Sequence, residues 1–291
     1  MLYNDGCLAD SVVGLAYSST VPDFIRASDG LVDYVEVPFE LLRHNPSVFD
    51  SCAGIPIVLH CASLSIGGSV RCSDQTVTEI EDWLHRTESP WLGEHLAFIT
   101  AAREEAGEML PEGIPAEPYD IGYTVSPPMN RHTLERAANN FESYSQRLNV
   151  RLLLENSPLY FQMPSSTMSQ SEFVRELCQL ADVNLLLDLA HLYISAGNIG
   201  FDPMKELERL PLEKVLEIHI SGVDRQPDGL WDDHANPAPD ILFKMLERVM
   251  QDGRTRAITL EYNWASTFSR TVLSEQLEKV RETLTRVPCT A

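Results

Sequence analysis

VRLLLENS (150–157) and VNLLLDLA (183–190) are the stretches on which the fold turns. Each is a short run of leucine and valine that ends on a carboxylate, Glu155 in the first and Asp188 in the second. A strand with one wet face alternates apolar and polar residues, so runs this apolar belong to a parallel sheet buried beneath helices. Between the two runs, Ser169 precedes QSEFVRELCQL and has Glu172 three residues on, a capping box that predicts a helix over 169–181.

The same rhythm extends in both directions. Further strands are expected at VVGLAY (12–17), YVEVPF (34–39), IPIVLHCA (55–62), LGEHLAF (92–98), LEIHISG (216–222) and AITLEYN (257–263). Helical segments are expected at 21–28, 40–50, 76–87, 131–148, 203–209, 238–252 and 270–286, with Pro239 near the start of the segment PDILFKMLERVM. Eight strands, each followed by a helix, is the arithmetic of a (β/α)8 TIM barrel. A doubly wound pair of domains would also alternate, but it should show a linker, and none is visible. The 291 residues are therefore read as one domain, 1–291; such barrels commonly take roughly 250 residues.

Composition narrows the partners. Hydrophobic residues make up 44% of the chain, enough for a large core, which excludes wholesale disorder. The 22 Lys and Arg against 43 Asp and Glu give a net charge of −21, and no dense basic run is present, which argues against nucleic acid and anionic membranes as partners. The N-terminal MLYNDGCLADSVVGLAY lacks a basic region followed by an apolar stretch, and no apolar run approaches the roughly 18 residues of a membrane span. Cys7, Cys52, Cys61, Cys72, Cys178 and Cys289 are scattered without a CxxC pair, as expected of reduced thiols in a cytoplasmic protein.

One segment breaks the rhythm. Residues 99–130 carry five Glu, one Asp and five Pro and read as a long acidic loop after the fourth strand. Loops of this length are commonly functional, so it is a candidate lid or docking surface, weighed against a plain solvated excursion.

Chemistry concentrates at the C-terminal ends of the strands, the face that carries active sites in barrel enzymes. Strand three ends near His60, strand four has Glu94 and His95, strand five ends in Glu155 and Asn156, and strand six has Asp188 followed by His191. Strand seven has His219, the loop beyond it Asp232 and His234, and strand eight Glu261. A single histidine in an apolar strand is more often a hydrogen-bonded core residue than a ligand. A carboxylate after three leucines is harder to dismiss, because burying it is costly unless it is paired or metal-bound. Recurrence at one barrel level shifts the balance toward function, whereas His44, His85 and His132 fall in helical or polar segments and read as surface residues.

Crowded carboxylates repel one another and need compensating cations, which divalent metals supply. A nitrogen and oxygen ligand set without required thiolate suits iron, manganese or zinc. Asp188 and His191 stand three apart and Asp232 and His234 two apart, and both spacings can aim two side chains at one ion. Glu155, central in strand order, could bridge two ions with its two oxygens.

At these residues the sequence resembles the multinuclear non-heme iron-dependent oxidative enzymes. The resemblance is carried by VGLAY (13–17), DYVEVPFE (33–40), LHCASLSIGG (59–68), GEHLAF (93–98), LLLENSPLY (152–160), LLLDLAHLYISAGN (185–198), EIHISG (217–222) and DDHANP (232–237), in order over nearly the whole chain. It implies a barrel of the sugar-isomerase and endonuclease IV type. It assigns His60, His95 and Glu155 to one iron, with Glu155 bridging to a second held by Asp188, His219 and Glu261, and Asp232, His234 and His191 at a third position. Gly93 stands where the family often has Ser, and His191 where it frequently has Asn.

The resemblance further implies two or three iron ions in a mixed-valent Fe(II)/Fe(III) state, dioxygen as co-substrate, and a cysteine of a ribosomally made precursor peptide as target. It also implies a heterodimer with a partner protein that recognises the peptide leader. The overall likeness is to the branch that excises the β-methylene of a C-terminal cysteine as formate in 3-thiaglutamate biosynthesis, while other branches make oxazolone-thioamides or other heterocycles. A metal-dependent phosphodiesterase like endonuclease IV and a non-catalytic barrel subunit are the alternatives from other classes. Asn156 is expected to contact substrate or bound oxygen, and Glu36 or Glu40 to position a neighbour or transfer a proton. Glu40 also reads as a plain helix-start carboxylate. Ser63 and Ser65 are expected to shape the mouth, with Gly67 and Gly68 supplying a tight turn.

Overall fold

In the computed structural model of the chain, the eight apolar runs form eight parallel strands that close on themselves. The structure describes residues 11–28, 30–102, 118–252, 254–262 and 269–287. The barrel strands are β1 (Val12–Ala16), β2 (Tyr34–Pro38), β3 (Ile57–Cys61), β4 (Trp91–His95), β5 (Arg151–Glu155), β6 (Asn184–Asp188), β7 (Val215–Ser221) and β8 (Ala257–Glu261). They pair in chain order, and β8 returns to β1 to complete the ring. Closure leaves no strand edge among them, which removes the usual liability of an exposed ladder.

Alternation along each strand sorts side chains into two environments. Leu59, Leu92, Leu152, Leu154, Leu187, Ile218 and Ile258 belong to the large core between sheet and helices. Residues of the other parity point into the barrel, where Tyr34, Val58, Trp91, Leu153, Leu186 and Ala257 form a small separate cluster. Two residues further along the same strands, this inner face carries Glu36, His60, Glu155 and Asp188, and Glu261 follows on the same face of β8 four residues after Ala257. Register aligns them, with His95 opposite Glu155 and Asp188 opposite His219.

The helices follow local chemistry. Ser169 accepts from Glu172 N, and the reciprocal contact completes the expected capping box for Gln170–Leu180. Asn130 caps Arg131–Leu148 and Ser73 caps Asp74–Thr87 in the same manner. The helix expected at 40–50 is instead two, Phe39–His44 and Ser47–Ser51, because Pro46 lacks an N–H and disfavours helical backbone at Asn45 before it. Sequence pattern also missed a helix: Leu189–Ile199 begins immediately after β6, with Asp188 as its N-cap and Gly200 in the left-handed region at its end.

Two hairpins rise above the C-terminal end of the barrel. Phe98–Ala101 pairs antiparallel with Tyr119–Val125, so the flanks of the segment expected as one loop are strands. Its middle, 103–117, lies outside the described residues, and with it most of the acidic stretch. Asp224–Gln226 pairs with Gly229–Trp231 and delivers the chain to Asp232. No helix among the described residues is long and apolar enough to cross a membrane, and Cys52, Cys61, Cys72 and Cys178 are free thiols.

Candidate metal centre

Glu155 ends β5 at the middle of the inner ring, and its two carboxylate oxygens face different imidazole pairs. Oε2 lies 2.8 Å from His60 Nε2 and 3.2 Å from His95 Nε2. Oε1 lies 3.3 Å from His191 Nδ1 and 3.6 Å from His219 Nδ1. The His60 and His95 rings meet edge-on, with centroids 4.6 Å apart.

His219 joins Glu155 to the far side of the barrel. Its Nδ1 is 3.3 Å from Glu261 Oε2, while its Nε2 hydrogen bonds to Glu36 Oε2 at 3.0 Å. Glu36 thereby fixes the ring with Nδ1 turned toward Glu155 and Glu261, the arrangement by which an outer carboxylate orients a metal-binding histidine. His191 is held through its own backbone N, which donates to Asp188 Oδ1 at 2.6 Å. Its Nε2 reaches Asp232 Oδ2 at 3.1 Å, and the other Asp232 oxygen lies 2.9 Å from His234 Nε2. His234 sits at φ 56, a left-handed backbone that a residue with a Cβ adopts at a cost and that is found preferentially at functional sites.

Five imidazoles and five carboxylates thus share one space, in overlapping groups that could each hold an ion: His60, His95 and Glu155; Glu155, Asp188 and His191; Glu36, His219 and Glu261; His191, Asp232 and His234. Two donors each roughly 2.1 Å from one ion, at tetrahedral or octahedral angles, stand about 3–3.5 Å apart, which is the spacing found here. The decisive sign is incompleteness. Asp188 Oδ2, His219 Nδ1 and His234 Nε2 are buried without an aligned hydrogen-bond partner, an arrangement costly enough to call for an explanation. A cation among them would supply it.

Electrostatics tell the same story. Burial works against charge on His60, yet the hydrogen bond and charge of Glu155 and the charge of Glu36 outweigh it and lift the imidazole to about 10. His234 rises to about 9 against its burial, through Glu261 and Asp232. Burial also opposes the charge of Glu155, but His95, His219 and His60 hold it well below the usual carboxylate range. Asp188 is pushed up to about 7 by burial, reinforced by the charges of Glu261, Glu155 and Asp232 and countered by His191. His95 goes down, chiefly through burial, and stays a neutral donor.

Three residues gain defined partners in the structure. The Asn156 side chain accepts from Asp188 N and donates to Asp188 O, each at 2.9 Å, and so ties the end of β5 to β6. Glu94 has the outward parity, and its oxygens accept from Leu64 N and from its neighbour's backbone at His95 N. Glu40 lies in the first turn of the helix Phe39–His44, the helix-start position expected of it, and also accepts from Ala62 N and Ser63 Oγ at 2.9 and 2.5 Å, shaping the turn after β3. Gly93 acquires a reason, since a Cβ there would stand 2.8 Å from the His60 ring and push it off Glu155.

Sequence reading passed over Glu217. It lies two residues before His219 with the same inward parity, fully buried, and accepts from Thr259 Oγ1 at 2.8 Å, Tyr34 Oη at 3.2 Å and Trp91 Nε1 at 2.6 Å. The period of two in LEIHIS was the available signal.

The comparisons agree with the motifs. Proteins named UPF0276 from Acaryochloris marina and Streptomyces avermitilis are each 28% identical, over 68% and 82% of this chain and 67% and 49% of their own lengths. The chain thus spans about half of the Streptomyces relative. Among solved structures, endonuclease IV from Thermus thermophilus superposes with a TM-score of 0.54 at 17% identity, over 94% of this chain and 99% of that one. A xylose isomerase domain protein from Alicyclobacillus acidocaldarius gives 0.57 at 18%, over 95% and 97%. At such identities the likeness extends to the barrel fold alone. Residues 12–285 match the family described as RiPP precursor modification enzyme MbnB/TglH/ChrH, and the chain belongs to that family.

Proposed function

We propose that the protein is an iron- and oxygen-dependent oxidase of a cysteine in a ribosomally made precursor peptide, and that its outcome is of the TglH type, excision of the β-methylene of a C-terminal cysteine as formate. The observation that carries this reading is the position of Glu155, each of whose oxygens serves a separate pair of imidazoles within a chain of this family. In it, His60, His95 and Glu155 would hold one ion, Asp188, His219 and Glu261 together with Glu155 would hold a second, and His191, Asp232 and His234 would hold a third. Bound iron would supply redox equivalents for dioxygen activation and a site for a soft, anionic thiolate.

The chain's own residues prepare that chemistry. Glu36 takes the Nε2–H of His219 and leaves Nδ1 as the donor. The backbone carbonyl of Asn156 lies 2.8 Å from His191 Nδ1, fixing that ring so that Nε2 points at Asp232. Burial of Glu155 and Asp188 keeps bulk water from competing for the ligands. A leader-recognising partner of the TglI kind and a reducing, cytoplasmic setting complete the proposal; the latter is supported by the free thiols.

The test is incubation of anaerobically purified, iron-loaded protein with its partner, a precursor peptide ending in cysteine, and oxygen. Loss of one methylene from the peptide together with formate is expected. An intact peptide, or loss of hydrogens alone, would reject the excision, and stoichiometric zinc without iron in the purified protein would move the reading toward hydrolysis.

A further inference from the structure

The metal centre opens sideways into a cleft of about 480 Å³ whose wall includes His95, His191 and Asp232. Whatever occupies this cleft lies against the ligands. Its rim holds an unusual concentration of exposed rings. Of the large hydrophobic side chains exposed among the described residues, Tyr123, Tyr160, Phe161 and Trp231 all line the cleft and Leu180 alone lies elsewhere. Tyr123 is 68% exposed and Phe161 61%. Exposed aromatics gathered in one place mark a contact surface, whereas scattered ones need no explanation.

The rim is built, not incidental. Tyr160 comes from the loop after β5 and Trp231 from the Gly229–Trp231 strand, and the two rings stack at 4.8 Å and 27°. Tyr123 belongs to the Tyr119–Val125 strand, so three separate elements contribute. The cleft lining contains no Lys or Arg, and its single acid is the ligand Asp232. On a chain of net charge −21, a cleft beside the centre with no Lys or Arg and one acid, the ligand Asp232, is a selective feature.

Shape and chemistry choose the occupant. The volume lies in the range of roughly 300–1,000 Å³ that holds a small ligand or a few side chains, whereas a protein partner covers a broader and flatter area of about 800 Å². Away from the ligand-bearing wall, the lining offers no Lys or Arg to recognise a phosphate or a free carboxylate. We infer that this cleft binds the peptide segment next to the reacting residue and selects an apolar or aromatic side chain there. This deepens the peptide-modifying reading and rests on it.

The probes are two acetylated tetrapeptides, Gly-Gly-Phe-Ser and Gly-Gly-Asp-Ser, titrated into the metal-loaded chain and followed by tryptophan fluorescence; serine removes any thiolate anchoring. The Phe peptide is expected to bind roughly tenfold more tightly, as one or two ring contacts allow. The double change Tyr123→Ala with Phe161→Ala, both at exposed positions outside the ligand set, is expected to erase the preference at unchanged metal content. Equal binding of the two peptides, binding of neither, or a preference that survives the double change overturns the inference; equal binding is also the outcome if the rim instead meets a partner protein. Two leader-bearing precursor peptides ending in Phe-Cys and Asp-Cys separate the two readings. Preference without oxidation on adding oxygen and partner sinks the proposed reaction alone, and oxidation indifferent to the neighbouring residue sinks the cleft alone.

Discussion

Two layers of the barrel interior stand one pleat apart, and both bury carboxylates, yet they are built to opposite ends. In the lower layer, Glu217 has its two oxygens satisfied by Thr259, Tyr34 and Trp91, and the surrounding Val58, Leu153 and Leu186 seal it. In the upper layer, Glu155 and Asp188 are as deeply buried, but Asp188 Oδ2, His219 Nδ1 and His234 Nε2 are left without aligned partners. A satisfied buried carboxylate holds strands in register. Carboxylates gathered with imidazoles, with one carboxylate oxygen and two ring nitrogens left over, could hold cations. The difference lies in how many donors the neighbours offer, not in depth of burial.

That contrast can be broken directly. Glu155→Ala should abolish turnover and cost the chain its bridged metal pair, well beyond the roughly 10–100-fold losses that outer-shell changes produce; elemental analysis and peptide mass spectrometry read both, and surviving activity would overturn the proposed centre. Glu217→Ala should do the reverse. Stranding the Tyr34, Thr259 and Trp91 donors is expected to destabilise the metal-free fold by about 3–5 kcal/mol in urea titrations, with metal per folded chain unchanged. If Glu217→Ala instead empties the centre, the lower layer is part of the site.

Smaller changes sharpen the boundary. His191→Asn should lower occupancy of the third position, next to Asp232 and His234, while His60, His95 and Glu155 keep their ion. Loss of all metal would show that the positions do not fill independently. Metal uptake should release protons, because His60 and His234, at about 10 and 9, are charged at pH 7 and must surrender a proton to become ligands. Apparent affinity should therefore rise as pH climbs from 7 toward 9, and a pH indicator in weak buffer should register the released acid; affinity flat across that window contradicts the assignment of these rings. Glu36→Gln, which keeps an acceptor but drops the charge behind His219, should weaken binding by roughly tenfold, measured by competition with a chelator.

Much of the architecture was legible in the chain. All eight strands emerge within a few residues of their expected bounds, because a strand buried on both faces must be continuously apolar and such runs are conspicuous. The helix Leu189–Ile199 was hidden for the same reason: DLAHLYIS continues the apolar run of β6, and nothing in its composition marks where extended chain becomes helix. Only Asp188, turning one oxygen to cap that helix and leaving the other toward His191, shows the break. The structural tie made by Asn156 was not legible either, because both of its contacts are to the backbone of Asp188 on the neighbouring strand.

The chain by itself determined the barrel and the residue types at its mouth, since periodicity and chemical character are local properties read along the sequence. Tertiary structure alone decided which of those groups meet. Glu36 and His219 are 183 residues apart and become hydrogen-bonded partners only when β8 closes on β1. The same closure brings Tyr34 and Thr259 to Glu217, while pairing among β4 to β7 sets Tyr160 against Trp231. Contacts between distant strands depend on register and ring closure, and no local pattern encodes them.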